Sequence, residues 1–183
     1  LGKGLGVRGL QIPKGITISI ITNTTNGFGY RVDDAGNTQA TAKALSFSGT
    51  SVSGAGIIER STDVDFFSFW ANAGSVNLNI KPYEAGLDGS GANLNIAAYL
   101  YNSVGSLLVS SNPLGSLAAS IATTLATAGQ YYLKIDGVGE GDPATTGYSD
   151  YGSLGRYFIT GNISDPSSVP NITLALSPTS VQE

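Results

Sequence analysis

Apolar and polar residues alternate in short runs along most of this chain, separated by polar or glycine-rich breaks. Alternation places every second side chain on one face, the pattern of a strand with one buried side. The clearest case is Val76-Asn77-Leu78-Asn79-Ile80-Lys81, closed by Pro82. Residues 16–21 alternate in the same way, and residues 51–58 read as a strand interrupted by glycine. Leu94, Ile96, Ala98 and Leu100 share one face of a further strand, and residues 107–110 make a short return. Tyr131, Leu133 and Ile135 alternate with Tyr132, Lys134 and Asp136, and residues 156–162 form the last core strand after a long polar loop, 137–155. Residues 118–125 mix Ala with the strand formers Ile121, Thr123 and Thr124; the breaks at Asn112-Pro113 and Ala128-Gly129 leave too little length for a helix. Residues 39–45 have helical propensity but are too few to nucleate a stable helix alone. Many short, regularly spaced strands predict an all-β chain, a jelly-roll-like antiparallel β-sandwich.

One run departs from simple alternation. In Asp63-Val64-Asp65-Phe66-Phe67-Ser68-Phe69-Trp70 two acids enter the densest aromatic block of the chain. Asp63, Asp65, Phe67 and Phe69 fall on one face, with Phe66 and Trp70 on the other. A strand apolar on both faces is expected in the middle of a packed sheet system. Acids at its entrance need a partner, and without histidine a hard cation is the economical one.

Composition narrows the chemistry further. The 183 residues suit one domain with extensions. The expected division is an N-terminal extension with one strand (1–29), a β-sandwich (30–163), and a linker with an orphan strand (164–183). Only 12% of residues are charged and 25 are glycine, as expected for short strands joined by many turns. The net charge of −4, with no basic stripe, argues against a nucleic-acid partner. Cys, His and Met are absent, which removes histidine-based triads, cysteine nucleophiles and the usual zinc sites. No run reaches the roughly 20 apolar residues that a membrane-spanning helix needs.

The acids cluster in three places: Asp33 and Asp34 with Asn37; Glu59, Asp63 and Asp65; and Glu140, Asp142 and Asp150 in the long loop. Calcium takes six to eight oxygens from carboxylates, amides and carbonyls, often on glycine-bearing turns. The first two clusters suit that set if folding unites them. The competing reading is that Asp, Asn and Gly are turn formers. A glycosidase-like carboxylate pair has little to support it. Tyr131, Tyr132, Tyr148, Tyr151 and Tyr157 offer a sugar- or peptide-binding surface, or plain packing with wet hydroxyls.

Several of these pieces resemble, in order, the bacterial pre-peptidase C-terminal domain: Asp33-Asp34-Ala35-Gly36-Asn37-Thr38, Gly56-Ile57-Ile58-Glu59, Asp63-Val64-Asp65-Phe66-Phe67-Ser68-Phe69, Ala128-Gly129-Gln130-Tyr131-Tyr132-Leu133, and Thr146-Gly147-Tyr148 onward. The resemblance covers roughly residues 30–162 and extends more distantly to the collagen-binding domains of clostridial collagenases. It implies a jelly-roll-like β-sandwich, a non-catalytic accessory module of a secreted or cell-surface bacterial protein, often stabilised by calcium. By motif position it implies Asp33, Asp34 and Asn37 as the N-terminal calcium-binding turn, facing Asp63 and Asp65. Asn95 stands where family members commonly carry Asp.

The leading expectation is therefore an extracellular, calcium-stabilised module that binds a protein or polysaccharide ligand or spaces other domains. The alternative is a subunit of an extracellular filament. Its terminal segments, 16–21 and 172–176, would pair with a neighbouring β-module or an identical subunit.

Overall fold

The strand pattern folds into two five-stranded sheets packed face to face in the computed structural model, which describes residues 20–84, 86 and 90–165. The strands are β1 (Lys43–Ala44), β2 (Ser46–Ser48), β3 (Ser51–Ile58), β4 (Val64–Ala71), β5 (Gly74–Pro82), β6 (Ile96–Asn102), β7 (Leu107–Ser111), β8 (Ala119–Leu125), β9 (Gly129–Gly137) and β10 (Gly155–Ile163). One sheet has the order β1-β4-β9-β6-β7, the other β2-β3-β10-β5-β8. Every pairing is antiparallel except the two-residue β1–β4 contact, which is parallel. The all-β sandwich read from the sequence is thus the architecture of the described residues.

From β3 to β6 each strand lies in the opposite sheet from the one before it, and β8, β9 and β10 again alternate. Each therefore faces the other sheet with one set of alternate side chains. Val76, Leu78 and Ile80 of β5 and Leu133 and Ile135 of β9 are fully buried by this geometry, as are Leu100 of β6 and Ile159 of β10. Phe67 meets Tyr157 of the opposite sheet edge-on, ring centroids 6.3 Å apart. Phe69 stacks on Tyr131 at 5.9 Å within its own sheet.

Strand locations follow the alternation closely, and the differences have local causes. The aromatic strand β4 is second in its sheet, beside the short β1, and not at the centre. Its apolar outer side is not a second core: Phe66 is half-buried against Tyr101 and Trp70 is exposed. Residues 39–45 hold only a 3-10 turn, Gln39–Thr41, before the chain enters β1. Leu94 is buried as expected, yet β6 begins only at Ile96. The loop 137–155 contains a bridge between Glu140 and Tyr148 and a 3-10 turn at Asp150–Gly152. Of the strand expected at 16–21, only Ile20 and Ile21 are described, and both are helical. The orphan strand 172–176 lies outside the described residues. Among those residues no helix is long and apolar enough to cross a membrane.

Strands β5 and β10 run so close at Gly161 that a Cβ there would collide with the Asn77 carbonyl. A backbone atom in a sheet centre cannot step aside. Gly161→Ala is expected to lower stability by about 1–3 kcal/mol, read as a lower urea midpoint at unchanged slope. Leu100→Ala, at a fully buried position, should cost about 2–5 kcal/mol in the same measurement.

Candidate metal centre

The acids gather at one end of the sandwich, where β3 hands over to β4. The connecting loop turns back on itself through the Asp63 amide, which donates to the Arg60 carbonyl at 3.0 Å. The Asp63 carboxylate accepts the Glu59 amide at 3.2 Å. Two residues on, Asp65 enters β4 facing inward with no exposed surface. From the opposite sheet Tyr157 of β10 donates its hydroxyl to Asp65 Oδ2. Space for that contact comes from Gly56, where a Cβ would strike the Tyr157 hydroxyl and the Asp65 carboxylate.

The third wall is the turn that precedes the 3-10 segment. Asp33 accepts the Ala35 amide at 3.0 Å, the self-bonded turn that Asp favours. Asn37 donates to Asp33 at 3.1 Å and accepts the Val64 amide at 3.0 Å. The Gly36 carbonyl accepts the Phe66 amide at 3.0 Å. These bonds lash the turn to the free edge of β4 just ahead of β1. As a result the carboxylates of Asp33, Asp63 and Asp65 converge, with oxygens within 4.8 Å of one another.

Of the five residues named from sequence, three meet and two do other work. Asp34 forms an ion pair with Lys43 at 2.9 Å and accepts the Ile57 amide at 2.9 Å, so it is committed to the edge of β3. Asn37 orients Asp33 and holds the start of β4. The third acidic cluster does not assemble: Glu140 accepts the Gly115 amide, and Asp142 caps its own turn at the Ala144 amide. Asn95 is buried, its side-chain nitrogen donating to the Tyr148 hydroxyl at 3.0 Å. Two further residues enter the site in ways that spacing does not show. Glu59 was grouped with Asp63 and Asp65, but nothing in the sequence showed that its carboxylate turns inward. Tyr157 is 92 positions from Asp65 and reads from the sequence as a ligand-surface or packing tyrosine, with nothing to pair it with Asp65.

The electrostatics are those of a site short of positive charge. Both Glu59 carboxylate oxygens and Asp65 Oδ1 are buried without a hydrogen-bond partner. Burial pushes the Glu59 carboxyl up to about 8, helped by neighbouring Asp63 and Asp65. Burial likewise pushes Asp65 up to about 7; the Tyr157 hydroxyl works against the rise, and the charges of Asp63, Asp34 and Asp33 add to it. The Tyr157 hydroxyl is held well above its ordinary value, by burial first and then by Asp65, so it remains a donor. Orphaned buried oxygens among converging carboxylates fit a hard, oxygen-seeking cation.

Residues 63–137 match the family model of the bacterial pre-peptidase C-terminal domain. The pre-peptidase C-terminal match runs from Asp63 through β9 and bears out the resemblance read from the sequence; the Asp33 turn precedes the matched stretch. Comparison with curated proteins gives no match. Among solved structures, the pre-peptidase C-terminal domain of a Bacillus anthracis collagenase aligns with a TM-score of 0.43 at 14% identity, covering 64% of this chain and 90% of that one. PliG of Aeromonas hydrophila, a periplasmic inhibitor of g-type lysozyme, aligns with a TM-score of 0.42 at 13% identity, covering 65% and 93%. PliG of Salmonella Typhimurium, also a periplasmic inhibitor of g-type lysozyme, gives 0.39 at 18%, covering 66% and 96%.

A carboxyl raised by folding favours the folded state at low pH, because the folded protein binds protons that the unfolded chain has released. That contribution is complete below the ordinary carboxylate range and is lost as pH climbs through about 7 and about 8. In EDTA, urea midpoints should therefore fall between pH 5 and pH 8. Glu59→Gln should flatten the upper part of that decline, and Asp65→Asn the lower part.

Proposed function

We propose that this domain is a non-catalytic, calcium-stabilised accessory module of an extracellular bacterial protein. The observation that carries the reading is the convergence of Asp33, Asp63 and Asp65 beside buried, partnerless oxygens of Asp65 and Glu59. Asp33, Asp63 and Asp65 would hold the cation, while Asn37 keeps Asp33 aimed at it and Glu59 adds its charge beside them. A bound calcium ion would supply the positive charge that this pocket of carboxylates lacks. Asp33 belongs to the N-terminal turn and Asp63 and Asp65 to the entry of β4, so cation binding would clamp the turn onto the sandwich.

A catalytic role for these acids is disfavoured by their burial. Raised carboxyls are a mark of acid–base catalysts, but Asp65 has no exposed surface and the Glu59 carboxylate oxygens are also sealed. A general acid has to reach its substrate. The pre-peptidase C-terminal match supports an accessory role and an extracellular setting. Calcium outside cells is abundant enough to fill sites with dissociation constants of about 0.1–1 mM.

Calcium titrated into EDTA-treated protein should raise the melting temperature. At a hundred times the dissociation constant the gain is about 2.7 kcal/mol, or about 5–10 °C for a domain of this size. Asp63→Asn with Asp65→Asn should abolish the calcium response. An EDTA-treated protein that melts at one temperature whatever the calcium concentration would defeat the reading. Calcium should also remove the decline in stability towards pH 8, because it replaces protons at the same oxygens.

A further inference from the structure

The outer edge of β3 is only partly paired. Strand β2 covers Ser51, Val52 and Ser53, and before the Ser46–Ser53 pair the chain belongs to the other sheet as β1. Beyond Ser53 two side chains occupy the place of a strand. Lys43 Nζ donates to the Ala55 carbonyl at 3.2 Å, and Asp34 Oδ1 accepts the Ile57 amide at 2.9 Å. The two close on each other as an ion pair with side chains 43% and 33% exposed. Exposed pairs of this kind contribute little to stability, so they are readily displaced. A polar edge with outward backbone donors and acceptors is a template for a further strand.

Charge says what kind of strand. A groove of about 320 Å³ runs along this edge, lined by Arg31, Lys43 and Arg156 as well as Asp34 and the backbone of 55–57. In a chain of net charge −4, three of its nine basic residues meet here. Among the described residues neither Arg31 nor Arg156 has an acidic partner. Arg156 lies over the Phe158 ring at 4.8 Å, which braces its guanidinium without neutralising it.

We propose that residues 54–58 of β3 are a docking edge for an extended acidic peptide segment of a partner protein. The peptide adds as a strand: its amide replaces Lys43 at the Ala55 carbonyl and its carbonyl replaces Asp34 at the Ile57 amide. Alternate side chains of a strand share a face about 7 Å apart, so Glu or Asp at every second position meets Arg31 and Arg156. The ion pair of Lys43 and Asp34 satisfies the edge when no partner is present and so guards it against indiscriminate pairing. The proposal rests on the reading of the domain as an accessory module and gives that module a partner class; it does not rest on calcium.

The test uses the full chain and a fluorescein-labelled peptide of alternating Val and Glu, followed by anisotropy with calcium and with EDTA. Saturable binding is expected, weakened about tenfold or more between about 50 and about 500 mM salt. Arg31→Ala with Arg156→Ala should weaken it about tenfold, with an unchanged melting temperature showing that the variant is folded. The same peptide N-methylated at alternate amides, which keeps the charge and loses the strand donors, should fail to bind. Equal binding by the N-methylated peptide, or by anionic lipid vesicles, would make this a charge patch and overturn the proposal, as would no saturation up to about 1 mM peptide. Peptide binding in a protein that ignores calcium sinks the metal reading alone; a calcium response without peptide binding sinks this proposal alone.

Discussion

Asp65 lies between the two sheets with no exposed surface, and its carboxylate is held by a tyrosine hydroxyl from the opposite sheet. The arrangement of this end of the molecule follows from that burial. A carboxylate removed from water needs donors or a cation, and Tyr157 satisfies only one of its oxygens. Gly56 has to be glycine for the contact to exist. The β3–β4 loop is drawn in through the bond from the Glu59 amide to Asp63, which brings more negative charge to the same place. Without a cation these carboxyls are forced towards their protonated forms. With one, the same like charges become a binding set.

The segment before the sandwich is tied into this arrangement by backbone logic as well as by charge. The Val64 and Phe66 amides lie on the edge of β4 ahead of its pairing with β1, and Asn37 and Gly36 accept them. One short turn thereby covers the edge of one sheet and delivers Asp33 to the carboxylate cluster. Its next residue, Asp34, points to the other sheet and caps the edge of β3. Neighbouring residues of one turn thus serve a candidate cation site and a candidate docking edge. Because they share a backbone, neither can shift far without moving the other.

Much of the architecture was legible in the chain. Alternation located every strand from β3 to β10 to within a few residues, because burying one face of each strand in a two-sheet sandwich demands that period. The segments it missed, β1 and β2, are two and three residues long, too short to show a period, and they exist because neighbouring strands offer them edges. The aromatic run misled in one respect. Phe66 and Trp70 suggested a strand buried on both faces, whereas in this two-layer sandwich the outer face of β4 stays partly open. Composition excluded histidine and cysteine chemistry outright.

The site was half legible, and the division has a physical cause. Sequence determined the donor set: carboxylates and amides on turns, with Asp63 and Asp65 on one face of a strand. Which of those donors point at a common place depends on how the chain returns from about thirty residues upstream, and only tertiary packing decides that. Asp33 and Asp34 are adjacent in sequence and equal in chemistry, yet one joins the cluster and the other pairs with Lys43, because successive side chains leave a turn in different directions. Tyr157 is indistinguishable from a core residue until β10 is laid between β3 and β5. Local periodicity fixes which residues are buried; the crossing of the chain between two sheets decides which buried residues meet.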